Sequence, residues 1–230
     1  MTDTPMYNHL LEVVTKRRSN RQFKPDPIPQ GHIEKIVDAA RWAPSGFHTQ
    51  PWEFVAVTRK DVRDKIVAAL DKHTPPITDP NAPHDASRAS FRDAPAFIIA
   101  LCDWRAYVGL PGRQEPDSRR VVRTFDSSMA SAFLVMHLAA ASLGLASQWY
   151  SGASRGTAEP ALRAIIGVPE SLKIYDLIVL GYPAAPPVPK EVRNLKDLLH
   201  YDDCGEGAFR TDEQVVAEAA KTKAWCLSAH

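Results

Sequence analysis

The chain has 230 residues, 44% of them hydrophobic, and a formal net charge of +1, enough for one globular domain with a real core. So small a charge argues against a dominant role on nucleic acid or a membrane surface, because such partners select a broad positive excess. Three widely spaced cysteines, Cys102, Cys204 and Cys226, form no C-x-x-C pair, so neither a disulfide framework nor a zinc site is expected, and the eight scattered histidines add no metal-binding spacing.

Met1 to Asn8 is polar and lacks the apolar run of a secretory signal, so a reducing cytoplasm is the expected location. Leu10, Leu11, Val13 and Val14 give a helical pattern over Tyr7 to Arg18. The cluster Arg17-Arg18-Ser19-Asn20-Arg21 follows. Guanidinium groups offer planar, bidentate donors to phosphate, and a serine hydroxyl with backbone N–H groups can complete such a shell. The competing reading is a solvated helix end, where basic residues suit the macrodipole.

Gln22 to Pro29 is a proline-punctuated extended linker, and Ile33, Ile36, Val37, Ala40 and Arg41 predict a second helix stopped by Pro44. Pro44-Ser45-Gly46 forms a turn, and Pro51 leads into a strand from Trp52 to Thr58. A third helix starts at Asp61, whose carboxylate is expected to cap it. His73 to Asp93, with Pro75, Pro76, Pro80 and Pro83, reads as an irregular lid, and Ala94 to Cys102 as a central strand buried on both faces. Trp104 to Arg123 is a second irregular insertion.

The window Ser127 to Ser154 carries no charged residue. It is long enough to cross a bilayer, which takes about 20 apolar residues, yet it is rich in Ala and Ser and holds His137 and Gln148. A helix buried on all sides, partly by a second subunit, is the expectation. Gly144 to Gly152 reads as a short strand and turn, Pro160 to Ile166 as a short helix, and Leu172 to Gly181 as another core strand. Pro183, Pro186, Pro187 and Pro189 then make a stiff connector to Arg193 and a C-terminal arm, about 190–230, patterned as a helix by Val215, Val216, Ala219, Ala220 and Lys223. Strands separated by helices, without repeats or a linker between two cores, predict one α+β domain over 1–230 with a mixed, mostly antiparallel sheet flanked by helices.

The nucleotide-binding patterns G-x-G-x-x-G and G-x-x-x-x-G-K-[ST] are absent, as are H-E-x-x-H and G-x-S-x-G, which removes the common kinase and hydrolase readings. The motifs present are Arg17-Arg18-Ser19-x-Arg21-x-Phe23, Ala43-Pro44-Ser45-Gly46-x-x-x-Gln50-Pro51-Trp52, Leu143-Gly144-Leu145-x-x-x-Trp149, and Ile166-Gly-Val-Pro169 leading to Leu180-Gly181-Tyr182-Pro183. In this order, from about Val13 to about His200, the chain resembles the FMN-dependent nitroreductase family.

The resemblance implies an intertwined homodimer with two FMN sites at the subunit interface, and NAD(P)H as electron donor. Arg17, Arg18, Ser19 and Arg21 would hold the phosphate and the pyrimidine edge of the flavin, with Arg21 nearer the ring. Pro44, Ser45, Gly46 and His48 of the other subunit would close over the ring and ribityl chain, although the family usually has asparagine where His48 stands. Gln148, Ser151 and Gly152 match the segment facing flavin N5, and Arg193 matches a basic residue that returns to the phosphate.

Beside the Pro44 turn, the phosphate reading of the Arg17 cluster outweighs the solvated one, while Arg193 stays open between the two. Trp52 and Trp149 are read as structural, and His137 as a satisfied core or interface histidine. No catalytic side chain and no metal are assigned, since the flavin would carry the electrons. The implied reaction is ping-pong reduction of a small planar acceptor, such as a nitroaromatic or quinone. The alternatives are a dehalogenase, dehydrogenase or oxygen-dependent flavin-consuming enzyme of the same fold, or a non-catalytic protein binding a phosphate ligand or RNA.

Overall fold

Proline at the first helical position costs no hydrogen bond, and Pro5 opens α1 (Pro5–Lys16) after Thr4. The structure is a computed structural model that describes residues 4–73, 92–108, 110, 119–154, 156–186, 190–203, 205 and 209–228. These fall into two compact units, the described residues up to 186 in one and those from 190 onward in the other.

In the first unit, β1 (Phe23–Lys24), α2 (Gln30–Ala40), β2 (Trp52–Val57), α3 (Lys60–His73) and β3 (Ala96–Asp103) follow α1. Then come α4 (Arg119–Ser142), β4 (Ala146–Tyr150), α5 (Ala158–Ile166) and β5 (Leu172–Pro183). The strand order is β1-β5-β3-β2, with β4 also pairing β5, and every pairing of named strands is antiparallel. A parallel contact remains as the isolated bridge between Ser19 and Ser147.

Strand side chains alternate between faces, so β3 and β5 each feed two cores. Ile98, Ala100, Ile178 and Leu180 meet Ile36 of α2 and Phe125, Met129 and Phe133 of α4. Phe97, Ile99, Leu177 and Val179 turn the other way, onto Ile66 and Leu70 of α3 and Leu162 of α5. Each fully buried side chain of this kind contributes about 1.5–3 kcal/mol. Ala96 to Cys102 is buried throughout, as expected of a central strand. One irregularity interrupts the register: Ala100 faces Asp176 while Leu101 faces Ile174, leaving Tyr175 as an extra residue on β5.

The structure corrects several expectations. The linker at Gln22 to Pro29 holds β1, because Phe23 and Lys24 pair with Pro183 and Tyr182. Asp61 lies inside the first turn of α3 and takes its hydrogen bonds from Arg59 at 3.1 and 2.6 Å, so it is not the cap. Arg119 to Arg123 is helical, since Val121 packs in the core and no Gly or Pro interrupts it. The single chain leaves the expectation for α4 standing: it buries one face and leaves Leu134, 53% exposed, on the face assigned to a second subunit. Most of the expected lid, and the part of the second insertion at 109 and 111–118, lie outside the described residues.

Among the described residues no helix is long and apolar enough to cross a membrane.

The second unit holds a 3-10 turn (Leu195–Asp197) and α6 (Asp212–Ser228), where the arm was patterned as a helix. Thr211 and Gln214 make a reciprocal capping box at the start of α6: Gln214 N–H donates to Thr211 Oγ1 at 3.3 Å and Thr211 N–H to Gln214 Oε1 at 3.0 Å.

Candidate functional site

The Arg17 to Arg21 stretch begins where α1 runs out of backbone partners. Arg18 turns back on that helix end, its Nη1 donating to the carbonyls of Thr15 and Arg17, the latter at 2.8 Å. This is the helix-terminus role that a basic residue takes there. Arg17 differs. Its half-buried guanidinium has no hydrogen bond or ion pair among the described residues, and its pKa is lowered, first by burial and second by the charge of Arg18.

Ser19 bridges to Ser147 at the start of β4, and Asn20 N–H donates to the Ser147 carbonyl at 3.0 Å. The Ser147 hydroxyl in turn lies 2.6 Å from His137 Nδ1 on α4. His137 is 5% exposed, and its pKa is pushed down to about 4, first by burial and then by the charge of Arg17. A neutral imidazole thus stands beside an uncompensated cation. Arg21 is half-buried on the same stretch.

β4 divides its side chains by alternation. Ser147 and Trp149 face α4, where the Trp149 ring packs 4.6 Å from Phe133. Ala146 and Tyr150 join the opposite core, and the buried Gln148 takes that side too by alternation. The side chain of Gln148 therefore points away from the face that carries His137. Ser151 is exposed in the turn after β4, and at Gly152 an added Cβ would fall 2.7–2.8 Å from the Tyr150 ring, so only glycine passes there.

The second loop rests on the other half of α4. Gly46 N–H donates to Ser128 Oγ at 3.1 Å, and a Cβ at Gly46 would sit 2.1 Å from Thr124 Cγ2. Ser45 Oγ accepts the Gln50 N–H at 3.0 Å, and Pro44 is exposed. Phe47, His48 and Gln50 all have positive φ, at 57°, 56° and 46°. Left-handed backbone in non-glycine residues costs about 1–2 kcal/mol each, and such strain gathers at functional loops. The exposed His48 ring reaches Gln50, Nε2 to Nε2 at 3.2 Å.

The stretch and the loop anchor at different heights on α4. His137 follows Ser128 by nine residues on α4, which is about 14 Å of helix. Arg193 belongs to the second unit, where its Nη2 donates to the Asp197 carbonyl at 2.7 Å. Among the described residues no cluster of His, Cys, Asp and Glu could hold a metal.

Two groups escaped the sequence reading. One is Ser147 as the link between His137 and Asn20. The other is Asp176, a buried carboxylate in a strand otherwise read as apolar; its lone acidic side chain in Leu172 to Gly181 was the available signal.

Comparison with known proteins agrees with this arrangement. The family model described as "Nitroreductase family" matches residues 14–182. A Methanothermobacter thermautotrophicus protein, named for NADH dehydrogenase and NAD(P)H nitroreductase activity, is 30% identical over 193 residues, 84% of this chain and 86% of that one. Iodotyrosine deiodinase of Drosophila melanogaster is 28% identical over 185 residues, 76% of this chain and 62% of that protein. A nitroreductase from Desulfovibrio desulfuricans, solved in complex with FMN, superposes with a TM-score of 0.64 at 24% identity, covering 88% of this chain and 99% of the other, which is a likeness of fold. With its antiparallel sheet between two helical layers and its matching motifs, the chain belongs to the nitroreductase family of oxidoreductases.

Proposed function

We propose that the protein is a homodimeric FMN enzyme that uses NAD(P)H to reduce a small planar acceptor such as a nitroaromatic or a quinone. One observation carries the reading: Arg17, a half-buried guanidinium without an anion partner among the described residues, stands beside a histidine kept neutral. A phosphate monoester supplies the missing charge, and Ser19 and Arg21 on the same stretch add a hydroxyl and a second cation. The family's known relatives, one of them a deiodinase, support flavin chemistry over simple phosphate capture.

Bound FMN would supply two-electron redox chemistry between NAD(P)H and the acceptor. The chain's own residues hold, orient and shield. Arg17, Ser19 and Arg21 bind the phosphate and the ring's polar edge, with Arg18 fixing the end of α1 behind them. Ser151 and Gly152, in the turn after β4, would face the N5 side of the ring. The Pro44, Ser45, Gly46 and His48 loop would serve the site of a second copy, as the family resemblance implies; its anchor on α4, Ser128, lies about 14 Å of helix from His137.

Purified protein should be yellow, take up FMN, and bleach with NADPH under anaerobic conditions. A colourless protein that FMN does not reconstitute overturns the proposal. A second reading, reductive dehalogenation, is favoured by the deiodinase relatives. Comparing turnover of nitrofurazone with that of halogenated phenols, with and without oxygen, separates the two.

A further inference from the structure

Among the described residues, Trp149 and Ser154 both donate to one buried carboxylate. Trp149 Nε1 donates to Asp176 Oδ2 at 2.6 Å, and Ser154 Oγ donates to Asp176 Oδ1 at 3.1 Å. Asp176 is 7% exposed, on β5 beneath the turn that follows β4. Trp149 lies before Ser151 and Gly152 and Ser154 after them, so the two donors flank that pair in sequence.

The irregularity in β5 explains how the carboxylate gets there. With Tyr175 as the extra residue, Tyr175 and Asp176 both reach the α4 side instead of alternating. Tyr175 packs edge-on against Phe125 and Phe133 of α4, at 6.0 and 5.3 Å, and its pKa is raised to about 12 by burial first and the Asp176 and Asp126 charges after. Its phenol stays neutral. The Trp149 ring, packed on Phe133, is held in plane with its donor edge toward Asp176.

An aliphatic residue would fill this strand position at no electrostatic cost, whereas a buried carboxylate costs several kcal/mol unless hydrogen bonds offset it. Here the bonds go to the two ends of one functional turn. Charged acceptors make the stronger hydrogen bonds, so the geometry of that turn is fixed more tightly than a neutral side chain could fix it. The Tyr150 ring beneath Gly152 closes off the remaining side.

We propose that Asp176 is a positioning residue that clamps the Ser151–Gly152 turn at both ends, fixing where its backbone N–H groups point and so how firmly, and in which redox state, a planar redox ligand is held there. The inference rests on the FMN reading given above. Asp176 touches no reacting atom; it acts through Trp149 and Ser154.

The test uses Ser154→Ala, Trp149→Phe and Asp176→Asn in the full chain. Three readouts apply: FMN affinity by fluorescence quenching, the midpoint potential of bound flavin by dye equilibration, and the melting midpoint of the flavin-free protein. Each variant should bind FMN about tenfold more weakly, the loss of one hydrogen bond to a charged group, and should shift the midpoint potential. Ser154→Ala should also lower flavin-free melting, because it removes a donor from a buried carboxylate, so affinity and potential rather than melting decide the clamp. If Asp176→Asn does not fold, the other two variants decide. Lower melting with unmoved potential and affinity means a packing role only and overturns the clamp. FMN-loaded wild type with unmoved variants overturns the clamp alone, whereas a wild type that never takes up FMN overturns the function reading and the clamp with it.

Discussion

His137 Nδ1 lies 2.6 Å from the hydroxyl of Ser147, whose carbonyl takes the N–H of Asn20 at 3.0 Å, so one serine joins α4 to the arginine stretch. The imidazole is neutral because burial, and secondly Arg17, pushes its pKa down to about 4.

That depression has a sign. An unfolded histidine titrates near 6.5, so between about pH 6.5 and about 4 the unfolded chain holds a proton that the folded chain refuses. Stability therefore falls as the pH falls through this window, by about 2 kcal/mol from pH 7 to pH 5 for this one group. Urea unfolding at the two pH values should show the loss. His137→Gln should flatten it, and an unchanged slope in that variant would show that another group titrates.

Arg17 and Arg18 are neighbours with separate tasks. Arg17→Ala should weaken FMN binding by about ten- to a hundredfold, the range of a charge-assisted phosphate contact, while Arg18→Ala should cost chiefly helix-end stability. Fluorescence titration against circular-dichroism melting separates them. Full flavin content in a purified Arg17→Ala, Arg21→Ala double variant would remove the phosphate site from this stretch.

At Gly46 a methyl group would stand 2.1 Å from Thr124 Cγ2. Gly46→Ala should cost about 1–3 kcal/mol by overpacking. Thr124→Ser deletes that methyl and retains a hydroxyl for the Arg120 carbonyl, so the double variant should recover most of the loss in a thermal melt. Additive losses would mean that the loop, not Thr124, takes the strain.

Among the described residues, several apolar side chains of α1 are left largely uncovered. Met6, Leu10, Leu11 and Val14 are exposed, as is Leu134 on α4. Leu134→Arg should leave the cores intact yet shift the protein from dimer toward monomer in sedimentation velocity, with loss of flavin. A Leu134→Arg protein that remains dimeric places the interface elsewhere.

Much of the fold was legible because period and composition act locally. Ala96 to Cys102 is apolar and β-branched over a full strand, and helices such as Ile33 to Ala40 announce themselves by spacing. The two-residue β1 was not legible: Phe23 and Lys24 pair only because Pro183 and Tyr182 come alongside, a contact set by the whole sheet. For the site, the order of motifs put forward Arg17 to Arg21 and the Pro44 loop as candidates, since charge and turn chemistry are written in adjacent residues. Side-chain direction was not. Gln148 falls on the far face through strand alternation, and Asp176 reaches Trp149 only through the extra residue at Tyr175.

The stretch of α4 between Ser128 and His137 acts as a ruler that keeps a subunit's two contributions apart, and on the proposed dimer this has a genetic consequence. A chain damaged at Arg17 and a chain damaged at Gly46 each form defective homodimers, yet their mixed dimer concentrates both lesions in one site and leaves the other whole. Random pairing of equal amounts would return about a quarter of the sites, the arithmetic of two-fold symmetry. Two inactive alleles would thus rescue one another in the same cell.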